Sequence, residues 1–128
     1  MRLITAPDNF VDTMDAVNYV STSLTKPMGL VFEENDEEFG GIFVASLAEG
    51  GVAETDGVIK PGDQLVSVNG QYVAGLSFDD ALSFIVNAET ESTKLTLFRG
   101  KETLFYGPTG PSKDWITEFI SKDEIKTN

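Results

Sequence analysis

At 128 residues, 41% of them hydrophobic and 23% charged, the chain has room for one domain with an ordinary core and not for two. It contains no cysteine and no histidine, which excludes disulfides, thiolate and histidine metal sites, thiol catalysis and any histidine-based triad. Nine basic residues against 21 acidic ones give a net charge of −12, a field that repels nucleic acid and anionic lipid.

No stretch approaches the roughly 20 apolar residues of a membrane span, so direct membrane insertion is not expected. Residues 1–16 lack the apolar core of a signal peptide, and no targeting peptide is expected within the sequence. Freedom from cysteine suits a reducing, intracellular compartment.

Acidic residues and strand-like segments concentrate in the middle of the chain. Residues 1–17 read as an N-terminal flank, 18–99 as the domain and 100–128 as an extension. From Asn18 to Leu24 apolar and polar residues alternate, with Tyr19 out of phase, as in an edge strand. A short apolar run, Met28 to Phe32, follows Pro27. Glu33, Glu34, Asp36, Glu37 and Glu38 then form a solvated charged loop that lacks the ligand ladder of a calcium site. Gly41 to Leu47 reads as a buried strand. Val52 to Asp56 is a short helix stopped by Gly57, which accepts the left-handed cap conformation. After the turn Pro61-Gly62-Asp63 comes a strand, Gln64 to Val68. Asn69-Gly70 is a strong hairpin signal, because both residues tolerate positive φ, and Tyr72-Val73 returns. Ser77 caps a helix whose apolar residues Phe78, Ala81, Leu82, Ile85 and Val86 recur at helical spacing. Lys94 to Arg99 alternates as a strand.

In the extension, Thr103 to Tyr106 is expected to be a strand pairing back on Lys94 to Arg99 through a turn at Gly100-Lys101. A linker, Gly107 to Pro111, leads to a helix from Ser112 to about Ser121. Its stripe of Trp115, Ile116, Phe119 and Ile120 must be covered, and is expected to dock on its own domain.

Catalytic constellations are poor. Gly57 to Gly62 has the glycine spacing of a phosphate loop, but Asp63 stands where the lysine belongs. No cofactor, metal site or catalytic group is expected. The segment Lys26-Pro27-Met28-Gly29-Leu30-Val31-Phe32 is more informative. A glycine between two large apolar residues lets successive N–H groups converge on an anion, beside apolar side chains and a strand edge able to accept another strand. Those features make a receptor for the C-terminus of another chain. An ordinary turn into a buried strand fits this segment equally well.

From about Asn18 to Arg99 the chain resembles a PDZ domain. Pro27-Met28-Gly29-Leu30 stands where the family has its Gly-Leu-Gly-Phe carboxylate loop. Gly41-Ile42-Phe43-Val44, Glu49-Gly50-Gly51-Val52-Ala53, Ile59 to Gly70, Gly75 to Leu82 and Lys94 to Arg99 match five further elements in order. The resemblance implies an α+β fold. Its body is a partly open antiparallel β-barrel or sandwich of five to six strands with two helices, here followed by a C-terminal strand and amphipathic helix. It also implies a non-catalytic module that takes a protein C-terminus or extended peptide by strand addition between the second strand and the long helix.

By the same resemblance the Met28, Gly29 and Leu30 amides hold the terminal carboxylate, with charge from Lys26, directly or through water. Pro27, which has no N–H, departs from the family pattern at a position that is not a donor. The groove would comprise Leu30, Val31, Phe32, Glu33, Phe78, Leu82 and Ile85, with Met28 joining the pocket for the last side chain. Phe78 stands where a family histidine would bond a ligand hydroxyl, so the expected ligand ends apolar-any-apolar, with basic residues upstream facing the acidic run. The loop form is also similar to PDZ modules of plant and algal plastid proteins. The alternative is accordingly a structural subunit docked through Phe10, Trp115 and Phe119 in a multi-subunit assembly, such as a thylakoid photosystem complex.

Overall fold

The computed structural model describes residues 12–126. A single 3-10 turn, Ala16–Asn18, leads into six strands and four α-helices. The strands are β1 (Tyr19–Leu24), β2 (Leu30–Glu34), β3 (Ile42–Leu47), β4 (Gln64–Val68), β5 (Gln71–Tyr72) and β6 (Thr93–Phe98). The helices are α1 (Val52–Asp56), α2 (Phe78–Val86), α3 (Glu102–Phe105) and α4 (Lys113–Lys126). The strands form one antiparallel sheet in the order β1-β6-β4-β3-β2, with β5 pairing β4 beside that path.

Local chemistry accounts for most of these boundaries. Asn69 (φ 50°) and Gly70 (φ 82°) make the tight turn between β4 and β5. Gly57 ends α1 at φ 81°, and the Ser77 side chain accepts the Asp80 N–H at the start of α2. All five residues of β4 are buried, because helices cover both faces of the central sheet.

α1 and α2 cover one face. The core there contains Leu24, Ile42, Val44, Leu65, Val68, Leu95 and Leu97, with Ala53 from α1 and Ala81 and Ile85 from α2. The opposite face carries Tyr19, Val66 and Phe98, and α3 and α4 close it with Phe105, Ile116 and Ile120. Each buried valine, leucine, isoleucine or phenylalanine among them contributes about 1.5–3 kcal/mol. The α4 stripe is thus covered by this chain's own domain. Trp115 and Phe119 stack on each other at 5.1 Å and lie 5.6 and 5.0 Å from the Tyr19 ring, so the expected docking anchors are largely committed internally. Phe10 lies outside the described residues.

The expected strand at Thr103–Tyr106 is instead the helix α3. Its intended partner has no free edge, since β6 is bonded to β1 on one side and β4 on the other. With pairing unavailable, the segment satisfies its backbone locally and turns Phe105 onto Phe98, 5.3 Å between rings. Tyr106 then reaches the loops before β3 and α2. Its hydroxyl accepts the Gly75 N–H at 2.9 Å, and it packs so close to Gly41 that a side chain there would collide with it. Burial pushes the Tyr106 phenol up to about 12, against an opposing effect of the Gly75 N–H.

Candidate functional site

β2 ends the strand path, so one of its edges has no neighbouring strand among the described residues. Between that edge and α2 runs a cleft of about 510 Å³, lined by Lys26, Pro27, Met28, Gly29, Leu30, Phe32, Leu82 and Ile85. The pocket expected from the sequence is therefore assembled. Met28 and Ile85, each 6% exposed, anchor it to the core, while Leu30, Phe32 and Leu82 are half-buried and pack onto that core from the cleft side.

The loop at one end of the cleft is shaped by Gly29, at φ 76°. A Cβ there would sit a tight 3.3 Å from the Gly51 Cα and an ordinary 3.5 Å from the Ala48 Cβ, so the position disfavours a side chain chiefly by its conformation. The loop is pinned from behind through its carbonyls: Ala53 donates to Met28 at 2.8 Å and Ala48 to Gly29 at 2.9 Å. Among the described residues neither the Met28 nor the Gly29 N–H has a hydrogen-bond partner. Those donors and an adjoining apolar cavity are the elements of an anion-tipped ligand site.

Two side chains tie β2 and its loop to α2. Lys26 Nζ donates to the carbonyls of Ile85 (2.9 Å), Val86 (3.3 Å) and Ala88 (2.9 Å). All three ammonium protons are thereby used, which corrects the expectation that Lys26 is free to contact a carboxylate directly. At the other end, Glu34 Oε2 accepts the Phe78 N–H at 3.0 Å. Neither tie is visible in the sequence, where the partners lie 59 and 44 residues apart.

Not every expected groove residue faces the cleft. Alternation along β2 sends the side chains of Val31, 47% exposed, and Glu33 to the other side of the strand, so they do not line the cleft. Phe78 lies one turn before Leu82, outside the cleft lining, with its ring half-buried against the first core. Asp36, Glu37 and Glu38 are exposed on the loop after β2, whereas Glu33 and Glu34 belong to the strand itself.

A second cleft, of about 540 Å³, lies where β4 begins and β6 ends. Arg99 and Asp63 form an ion pair in its wall. Arg99 bonds the buried Asp63 through Nε (3.0 Å) and Nη2 (2.8 Å), and Nη2 also donates to the Val58 carbonyl at 2.7 Å. Asp63 further accepts the Lys60 N–H. The Asp63 hydrogen bond holds the Arg99 guanidinium above its ordinary pKa. This carboxylate, at the position a phosphate loop gives to lysine, fastens the turn before β4 to the end of β6.

Residues 20–97 match the family model described as PDZ domain. Human tyrosine-protein phosphatase non-receptor type 13 is 41% identical over 71 residues, 56% of this chain and 3% of that protein. Human multiple PDZ domain protein is 33% identical over 97 residues, 73% of this chain and 5% of that protein. Human segment polarity protein dishevelled homolog DVL-1 is 28% identical over 95 residues, 70% of this chain and 14% of that protein. The chain thus spans a small part of the curated relatives it matches. Among solved structures, the second PDZ domain of choanoflagellate (Monosiga brevicollis) Dlg1 superposes with a TM-score of 0.58 at 19% identity, covering 64% of this chain and 99% of that one.

Proposed function

The chain belongs to the PDZ domain family, whose members are non-catalytic protein-interaction modules, and on that footing we propose that it captures the C-terminus of another protein by strand addition to β2. The observation that carries this reading is the cleft itself. An open strand edge, an apolar cavity and two N–H groups without partners converge where an incoming chain would end. The carboxylate takes the amides of Met28, Gly29 and Leu30. The last side chain fills the space between Met28, Leu30, Phe32, Leu82 and Ile85. Lys26 acts by charge across a short distance, its protons remaining on the α2 carbonyls.

The third-from-last ligand residue passes the N-terminal turn of α2, where Phe78 offers carbon and no polar partner. An apolar residue is preferred there over serine or threonine, by about 1–3 kcal/mol where the site is dry. Exposed acids on and after β2 add a long-range attraction for basic residues upstream, weakened by salt.

The test is selection from a library of peptides with random C-termini, followed by affinity measurement with free-acid and amidated forms of the selected sequences. Selection of apolar-any-apolar ends and loss of binding on amidation are expected, and Phe78→His should shift the third-from-last position toward serine or threonine. Binding indifferent to amidation would overturn the carboxylate assignment.

A further inference from the structure

Strand geometry turns the general attraction for basic residues into a statement about one position. Ala48 donates to the Gly29 carbonyl, and Leu30 stands opposite Leu47 in the ladder. That bond flanks Leu30 and Leu47, which are therefore a non-bonded pair, so the Leu30 N–H and C=O point away from β3 to the open edge. The register shift after Val31 places the extra residue, Ala45, on β3, since Val31 faces Ser46 and Phe32 faces Val44. Alternation along β2 is thus unbroken, and Phe32 and Glu34 follow Leu30 in presenting their backbone to the same edge.

An antiparallel strand whose last residue lies beside Leu30 puts its third-from-last residue beside Phe32 and its fifth-from-last beside Glu34. Residues directly opposite in such a pair project on the same face, with Cβ atoms about 4.5–5.5 Å apart. The fifth-from-last side chain therefore emerges next to the Glu34 side chain.

Glu34 is prepared for it. Its Oε2 is fixed by the Phe78 N–H, and its Oε1 has no hydrogen-bond partner among the described residues. No basic side chain pairs with it among the described residues. A carboxylate already held in place loses less freedom on pairing than one on a free arm. Glu33 faces the other side of the strand, and Asp36, Glu37 and Glu38 lie on the exposed loop beyond it. Resting on the strand-addition reading above, we propose that Glu34 is a specificity-determining residue that selects lysine or arginine at the fifth-from-last position of the bound C-terminus.

The probe is the synthetic peptide Ser-Gly-Ser-Ala-X-Ala-Val-Ala-Val with a free C-terminus, X being lysine, glutamine or glutamate, measured by fluorescence anisotropy against the full chain. Lysine at X should bind about two- to five-fold tighter than glutamine in low salt, with glutamate weakest. Most of the difference should vanish at about 0.5 M salt. Glu34→Gln, whose amide oxygen still accepts the Phe78 N–H, should bind the lysine and glutamine peptides with equal affinity, and Glu34→Lys should invert the ranking. A lysine moved one residue toward the C-terminus should gain less in wild type. A lysine preference that survives in Glu34→Gln, or is equal at both positions, overturns the assignment. Amidated copies separate the two readings: carboxylate-dependent binding without charge preference removes only Glu34's role. Charge preference without carboxylate dependence removes the carboxylate site. Absence of binding by every peptide overturns both.

Discussion

Replacing Ile116 with alanine tests whether the C-terminal extension folds as one unit with the PDZ region. Ile116 is 1% exposed and packs with Tyr19, Val66, Phe98, Phe105 and Ile120 across the sheet face opposite the cleft. The truncation loses about 2–3 kcal/mol of transfer free energy at roughly 0.8 kcal/mol per methylene. The cavity left behind adds to this, because aromatic neighbours on a sheet close it only in part, giving an expected cost of about 3–4 kcal/mol. That is a large share of the roughly 5–15 kcal/mol available to a domain, and corresponds to a fall in Tm of about 10–15 °C. Urea unfolding followed by Trp115 fluorescence reads the same layer directly, and should show one transition at lower midpoint with an unchanged slope. The neighbouring Thr117→Ala, on the exposed side of α4, should stay within about 0.5 kcal/mol of wild type. A cost below about 1 kcal/mol for Ile116→Ala, or a separate early transition for the extension, would refute the reasoning.

Gly29→Ala should weaken binding of a C-terminal peptide by at least about tenfold, since it places a Cβ at positive φ against Gly51 and deforms the donor loop. Calorimetric titration against wild type is the check. Tyr106 makes an alkaline prediction. Its folded pKa is about 12 against an ordinary 10.0, so the folded state holds the proton more tightly. The resulting stabilisation, about 2–3 kcal/mol, is complete below pH 10 and is lost as the pH rises toward 12. Urea unfolding at a series of pH values from 8 to 12 should therefore show a shallower alkaline decline in Tyr106→Phe, and an unchanged decline would count against it. Asp63→Ala should cost about 2–3 kcal/mol by freeing Arg99 and the Lys60 N–H together, and Arg99→Ala introduced on top of it should add little in a double-mutant cycle.

The features legible in the sequence were those whose cause is local. Asn69-Gly70, Gly57 and Ser77 act within a few residues, and all three appear where their chemistry put them. The cleft was also legible, because Met28, Leu30 and Phe32 alternate along one strand while Leu82 and Ile85 share a helix face. Misreadings arose where the deciding partner is remote. Thr103 to Tyr106 has strand-like residues, but pairing depends on whether β6 has an edge to offer, and β1 had already taken it. Adjacency in sequence places Val31 and Glu33 in the groove, whereas period-two geometry turns their side chains away from it. Lys26 looked like a free charge beside a loop because the carbonyls that consume its protons belong to residues 59 to 62 positions later.

That engagement of Lys26 has an electrostatic consequence for anything anionic entering the cleft. An α-helix gathers partial negative charge at its C-terminal end, roughly half an electron's worth, on carbonyls without intrahelical partners. The apolar pocket reaches α2 at Leu82 and Ile85, toward that end, so an anion in the loop would approach a repulsive pole. Lys26 places a full positive charge on the carbonyls of Ile85, Val86 and Ala88, more than cancelling the pole and reversing the sign of the field the anion meets. Met28 and Gly29 can thus offer their N–H groups beside the end of a helix that, left bare, would drive a carboxylate away.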